Sequence, residues 1–439
     1  MKKTLVYLVL FLILLLGFGA RYHKYTVWPR EGATYDEFAW TFLGLSLWEK
    51  GVPTSWSPHA AYKNRIEYSN PQGARFTLVT PYSEHPPLFG LISGGFARLN
   101  GVTSFDEVNI SKIRPLALLL GVFSIFTVYL LASLVYGSTT GLIASGLYAV
   151  IPTVAIGSRL VQNENFFIPF FLLSLYFGYK YVKYRLSHDL LATTIICALL
   201  PLAKVPWIAA SVAVGAMFVY SGKRKAALIV GLTTLIFFAG FILYGIRWNG
   251  EVFYNLWKLQ LARYFMSFDS MFALFRDPII ADRTFVDGWI YFGWAAMILL
   301  LVKNIKKNIP IVLGFLAYGA IFVFAIPSEP LHGWYRYPFY PFLAIALAVF
   351  LKEYLNRGYF VTALFFIVTG LSVFAESWGK VFGFSYPVFR TYLTVVAVGA
   401  LPGIYPKLER NRVLRWINYG ILFSIILLSL WAAVHYNEQ

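Results

Sequence analysis

The chain has 439 residues, 59% of them hydrophobic and only 13% charged, so a water-soluble fold is excluded and an integral membrane protein is expected. Its one cysteine, Cys197, rules out an intramolecular disulfide framework and cysteine-rich metal sites. The formal charge of +17 raises nucleic acid as a partner until the basic residues are placed along the chain.

Taken in order, apolar runs predict spans over residues 4–20, 112–136, 141–157, 166–182, 190–202, 205–220, 226–246, 288–302, 309–326, 338–351, 359–375, 387–404 and 416–434. Several fall short of the roughly 20 residues of a full span, which gives an all-α bundle of about 11–13 transmembrane helices. With Lys2-Lys3 inside, the short connections "KYVKYR", "SGKRK", "KNIKK", "KEYLNR" and "KLERNRVLR" all fall in the cytoplasm. That positive-inside bias accounts for the net charge without nucleic acid. Two long loops, about 21–111 and 247–287, are then expected outside. Their aromatic and charged composition predicts helices lying at the interface. The first span reads as a retained anchor rather than a signal sequence ending in "GFGA", because cleavage would strand the acidic pair that follows. Residues 1–439 are expected to form one polytopic domain.

The candidate chemistry sits in those outside segments. Thr34-Tyr35-Asp36-Glu37 has the Thr-x-x-Glu form of a capping box, opening a helix that ends at Lys50 and Gly51. Glu37 thus has a structural reading as strong as a functional one. Asp36 is not needed by the box. It is either a solvated charge at a helix start or a carboxylate able to take a proton from an attacking hydroxyl. In "SEHPPLFGLI", Pro86-Pro87 stop one element and start the next, fixing Glu84 and His85 at a helix entrance. His85 suits a phosphate or sugar hydroxyl. "GSRLVQNENFF" carries Arg159 and Glu164, ionisable groups at membrane depth that mark function or pair with each other. In "PLAKVPW", Lys204 is a snorkelling lysine or the tip of a proline-broken hairpin aimed at a site. "EPLHGWYRYPFYPF" presents His332, Tyr335, Arg336 and Tyr337. Arginine suits phosphate in a fork geometry; the rings suit the headgroup belt or a sugar face. No phosphate-binding G-x-x-x-x-G-K-[ST] loop or H-E-x-x-H occurs, and "GFGARY" lacks the third glycine of a dinucleotide fingerprint. Nucleotide substrates are not expected.

The order and sidedness of five features are informative together. They are the acidic pair Asp36-Glu37, "HPPL" from His85, Arg114 opening the second span, an acidic residue after the third, Glu164, and "AKVP" around Lys204. In these the chain resembles the GT-C membrane glycosyltransferases, specifically the protein O-mannosyltransferase and aminoarabinose-transferase-like group. The likeness covers residues 1–220 well; "YRYPFYPF" continues it more loosely. The missing large soluble C-terminal domain argues against an oligosaccharyltransferase. The resemblance implies a GT-C-like bundle and transfer, with inversion, of a sugar from a polyprenyl-phosphate donor to an acceptor hydroxyl on the outer face. The acceptor class is a glycolipid, polysaccharide or protein, and the setting the plasma membrane of a prokaryote. Asp36, Glu37 and Glu164 are the expected catalytic residues. His85, Arg114, Arg159, Lys204, His332, Tyr335 and Arg336 are the expected binding residues, and a divalent cation on the carboxylates stays open. Of the rivals, a polyprenyl-lipid flippase would also bind polyprenyl phosphate but would not need Asp36, and a secondary transporter predicts internal repeats and midplane charges. The sequence shows neither.

Overall fold

The computed structural model describes residues 2–262, 278–325, 332–355 and 359–437, together with 272, 274, 275 and 357. Residues 263–271, within the expected loop 247–287, lie outside the described residues, as do 326–331. Helices form on each predicted apolar segment. Among the described residues six are long and apolar enough to cross a membrane: Lys3–Tyr22 (α1), Ile110–Tyr136 (α4), Arg224–Leu261 (α10), Ile305–Ala325, Tyr386–Ile404 and Arg412–His435. The pair Phe360–Phe374 and Glu376–Phe382, bent by 60°, makes a seventh if taken as one span. The chain is an integral membrane protein.

Of the remaining segments of the expected 11–13, Asn163–Tyr184 runs to 22 residues, and most of the others are shorter than the roughly 20 residues a bilayer core needs. The short ones include Ser138–Val150 (α5), Pro152–Gly157 (α6), Ser187–Leu199 (α8), Ala209–Tyr220 (α9), Gly288–Val302 and Tyr340–Tyr354. Tyr340–Tyr354 shows why they still form: every residue from Tyr340 to Leu351 is buried. A helix apolar on all sides belongs at a bundle centre, where protein rather than lipid surrounds it. It packs against α5 and Gly288–Val302.

The long segment between α1 and α4 folds as a cap on one end of the bundle. It contains Asp36–Lys50 (α2), a sheet and Leu88–Leu99 (α3). Helices are therefore present where the sequence places them, after Thr34 and after Pro86-Pro87. The three-stranded antiparallel sheet, in the order β1 (Ser55–Trp56), β3 (Arg75–Val79), β2 (Arg65–Ser69), is an addition to the all-α expectation. Its hairpin turns on "NPQG", where Gly73 takes φ +86° and Asn70 Oδ1 accepts the Ala74 N–H at 2.7 Å. That turn chemistry was legible in the sequence. α2 crosses α3 with the backbones in contact: a Cβ on Gly44 would lie 1.7 Å from the Gly90 carbonyl oxygen. The crossing brings the start of α2 and the residues before α3 to the same face of the bundle.

Candidate active site

Four chain segments meet beneath the cap: the start of α2, the turn before α3, the start of Asn163–Tyr184 (α7), and the break between α8 and α9. At the first, α2 begins at Asp36 with Tyr35 in the cap position and no side-chain cap bond. The expected capping box does not form. Thr34 Oγ1 accepts the Asp36 N–H at 3.1 Å and also the Gln162 amide at 2.9 Å, tying α2 to the segment before α7. Glu37 turns away into the protein. Arg114 Nε donates to its Oε1 at 3.0 Å and Nη2 to its Oε2 at 2.9 Å, while the Val161 N–H donates to Oε1 at 2.9 Å. Both side chains of this pair are fully buried. A bidentate guanidinium offers more than a reach back to the cap, so tertiary structure overrides the local motif.

Arg114 also donates to the carbonyls of Tyr25 and Pro29, at 2.7 and 2.6 Å. Arg159 does not pair with Glu164. It donates instead to the carbonyls of Trp28, Ala20 and Ala433, joining the first loop, α1 and the C-terminal helix. Arg114 and Arg159 thus direct donors to carbonyls and a carboxylate of the protein itself, which gives both a structural use beside the binding roles expected of them. Arg21 belongs to the same framework, donating to the carbonyls of Gly17, Tyr148 and Ala149.

Asp36 remains directed at the site. Burial pushes its carboxyl up to about 6, against the pull of the Lys204 charge and a hydrogen bond from Gln162; Glu164 and Glu84 lie close enough to raise it further. Glu164, in the first turn of α7, accepts from Lys204 Nζ at 2.7 Å through Oε1. Its Oε2 is buried with no hydrogen-bond partner among the described residues. Lys204 stands in the break between two proline-containing 3₁₀ turns, Leu200–Leu202 and Val205–Ile208. Asn163 pins both sides of that break, donating to the Ala203 carbonyl at 2.8 Å and accepting from Trp207 Nε1 at 2.6 Å. The ammonium lies 4.9 Å from the centre of the Tyr335 ring and 5.4 Å from that of Trp207.

Opposite stands a group that sequence reading only partly found. Glu84 accepts from Ser57 at 2.8 Å through Oε2, and its Oε1 lies 3.2 Å from His59 Nε2 and 3.8 Å from His85 Nε2. Gln260, at the far end of α10, comes within 3.4 Å of the same oxygen. Burial alone would raise the Glu84 carboxyl; the bond to His59 and the charge of His85 bring it below its ordinary value. His85 packs on Trp40, ring centres 5.1 Å apart. His59 and Gln260 are far from "SEHPP" in sequence and carry no motif, so only the fold could bring them in. Glu84 was legible through the prolines that follow it.

Between these groups lies a cavity of about 340 Å³, bordered by Glu84, His85, Lys204, Gln260 and Tyr335 at its polar end. Trp257, Leu261, Ile321 and Phe324 continue it as an apolar slot. His332 stacks on Trp334 at 4.1 Å, next to Tyr335. Arg336 is buried in the 3₁₀ segment Gly333–Phe339, within electrostatic reach of Tyr337 and Tyr340. The arrangement offers one carboxylate poised near neutrality, cations beside it, and a greasy channel leading away. The carboxylates do not converge on a cation: Glu37 is held by Arg114 and Glu164 by Lys204. Among the described residues no group of three or more His, Cys, Asp or Glu is placed to hold a metal ion.

This is the fold of the GT-C membrane glycosyltransferases, as the resemblance implied. Residues 84–244 match the sequence model of the dolichyl-phosphate-mannose-protein mannosyltransferase family. The structure of ArnT from Cupriavidus metallidurans bound to undecaprenyl phosphate is similar, with a TM-score of 0.59 at 15% identity over 99% of this chain and 77% of that one. The apo form of the same protein gives 0.56 at 14% identity, over the same shares of the two chains. The archaeal oligosaccharyltransferase AglB from Archaeoglobus fulgidus, in complex with an inhibitory peptide and a dolichol-phosphate, gives 0.50 at 12% identity over all of this chain and 57% of its own. No curated protein matches the sequence.

Proposed function

We propose that the protein is a membrane glycosyltransferase that moves a sugar from a polyprenyl-phosphate donor to an acceptor hydroxyl. The observation that carries this reading is the juxtaposition of Asp36, a half-buried carboxylate near neutrality, with Lys204 at the mouth of an apolar slot. The family match and the two similar structures, described with undecaprenyl phosphate and dolichol-phosphate, support a lipid-phosphate donor. The slot takes the lipid tail, and Lys204, Arg336 and His85 face the phosphate.

In the reaction, the acceptor hydroxyl gives its proton to the Asp36 carboxylate while its oxygen bonds to the anomeric carbon. The bond from that carbon to the phosphate oxygen breaks, and the electron pair leaves with the polyprenyl phosphate. A single displacement inverts the anomeric centre. Cations at the leaving group stabilise the charge that develops there. Glu164 Oε2, buried and otherwise without a partner, accepts from a sugar hydroxyl and orients it. Tyr335 and His332 flank the sugar, and Glu37 acts only through Arg114, as a positioning residue. The basic connections "KYVKYR", "SGKRK" and "KLERNRVLR" face the cytoplasm and the cap faces outside. Nucleotide sugars are cytoplasmic currency, so a site on the outside calls for a lipid-carried donor. The enzyme then serves glycosylation at the cell envelope, with a glycolipid, polysaccharide or protein as acceptor. Incubating purified protein with a panel of radiolabelled polyprenyl-phosphate sugars and membrane extract tests this. Label is expected to pass from one donor to a hydroxyl-bearing product; label left on every donor would overturn the reading.

A further inference from the structure

A second and larger cavity, about 740 Å³, lies at the end of the bundle away from the cap and shares no residue with the site. Its walls are apolar and come from α1 (Leu16), α5 (Gly146, Val150) and the C-terminal helix (Ile426). Its rim is charged: Lys352, Arg357 and Arg415 contribute cations, Glu353 and Glu409 carboxylates. Glu353 is already held by Lys303, and Arg415 Nε donates to the Glu409 backbone carbonyl at 3.0 Å. Lys352 Nζ contacts the Thr140 hydroxyl at 3.3 Å, at the start of α5. The rim therefore carries a cationic excess over a greasy shaft. The shaft runs along the helix axis from Arg415 to Ile426, roughly 17 Å at the rise of an α-helix, against the ~15 Å of one leaflet in a ~30 Å hydrocarbon core.

We propose that this cavity binds one anionic phospholipid of the leaflet facing the basic connections, its headgroup on Lys352, Arg357 and Arg415 and an acyl chain along α5. Charge selects the headgroup, since basic pockets between membrane helices at the cytoplasmic side recognise anionic lipids. Depth selects a leaflet lipid over a polyprenyl chain, which is far longer than the shaft. The volume lies within the roughly 300–1,000 Å³ of ordinary ligand pockets. That the leaflet is the inner one rests on the orientation proposed above; binding in detergent does not, so the two stand or fall separately.

Gly146 offers the test, because a Cβ there meets only Ile13, at 3.8 Å, and a larger side chain fills the shaft. Full-length protein in detergent is mixed with dioleoylphosphatidylglycerol or dioleoylphosphatidylcholine and retained lipid is read by native mass spectrometry. The wild type is expected to keep one phosphatidylglycerol in preference to phosphatidylcholine. Each cation should contribute roughly fivefold to that retention. Lys352→Ala/Arg357→Ala/Arg415→Ala should abolish the preference, and Gly146→Phe the bound lipid, with donor turnover unchanged in both. Equal retention of the two lipids by the wild type, which needs no variant to fold, would overturn the proposal. So would full phosphatidylglycerol binding by a folded Gly146→Phe protein.

Discussion

Asp36 and Glu37 are neighbours with opposite fates. Glu37 sits with Arg114 where neither side chain reaches water, so Glu37→Gln leaves a buried guanidinium uncompensated. Breaking such a pair costs about 3–5 kcal/mol, and Glu37→Gln and Arg114→Ala should each lower the Tm sharply. Replacing both should recover part of the loss, since the double variant strands no charge; additive losses in the double-mutant cycle would show that the pair is not coupled. Asp36 has a raised carboxyl, which is ionised above about pH 6 and protonated below. A base must be ionised, so kcat/KM is expected to fall as pH drops through 6 and to hold above it; a profile flat from pH 5 to 8 would exclude Asp36 as the base. In sequence Asp36 and Glu37 stood side by side in one helix start, and Asp36 was distinguished only by having no structural use. What separates them physically is Arg114, 77 residues away, which no local pattern relates to Glu37.

At the scale of elements, the site depends on two breaks and one crossing. Lys204 is exposed to the site because α8 and α9 stop short around it, and the prolines of "PLAKVPW" announced that break. Lys204→Ala should raise the donor KM, with Lys204→Arg restoring part of it. An unchanged KM in the alanine variant would leave Lys204 as a partner of Glu164 alone. The crossing of α2 on α3 was not legible in advance, since it depends on Gly44 meeting Gly90 and Gly94 from another segment. A methyl at Gly44 collides with backbone, which cannot move aside as a side chain can. Gly44→Ala is therefore expected to destabilise the cap by ~1–3 kcal/mol, the usual cost of overpacking. Activity should fall as Asp36 is pulled from Glu84 and His85. Wild-type thermal stability in that variant would show that the crossing is loose. The sheet was missed for another reason: its strands are only two to five residues long and β2 is largely exposed, so a period-two pattern is weak beside the aromatic background.

For the whole molecule, the apolar segments and the basic connections were plain because each is set by the bilayer rather than by distant contacts. Which apolar segments cross alone was less plain, because burial among neighbours substitutes for length. The proposed orientation rests on charge and can be tested directly. Cys197 is buried, so an introduced thiol reports by itself. Gln72→Cys, in the exposed hairpin turn of the cap, should react with an impermeant maleimide in intact cells, and Ser187→Cys, at the exposed start of α8 just after the basic connection "KYVKYR", only after lysis. The reverse pattern would put the cap in the cytoplasm and remove the reason for a lipid-carried donor.

The most direct measurement is the initial rate of sugar transfer from saturating polyprenyl-phosphate donor by wild type and Asp36→Asn, each first shown to be monodisperse with the same Tm. The substitution keeps the shape of the side chain and removes the base. The rate of polyprenyl phosphate release, coupled to labelling of the acceptor, is expected to fall by roughly a hundredfold or more, the scale of a lost general base. An Asp36→Asn protein that releases polyprenyl phosphate and labels acceptor at the wild-type rate would contradict the assignment.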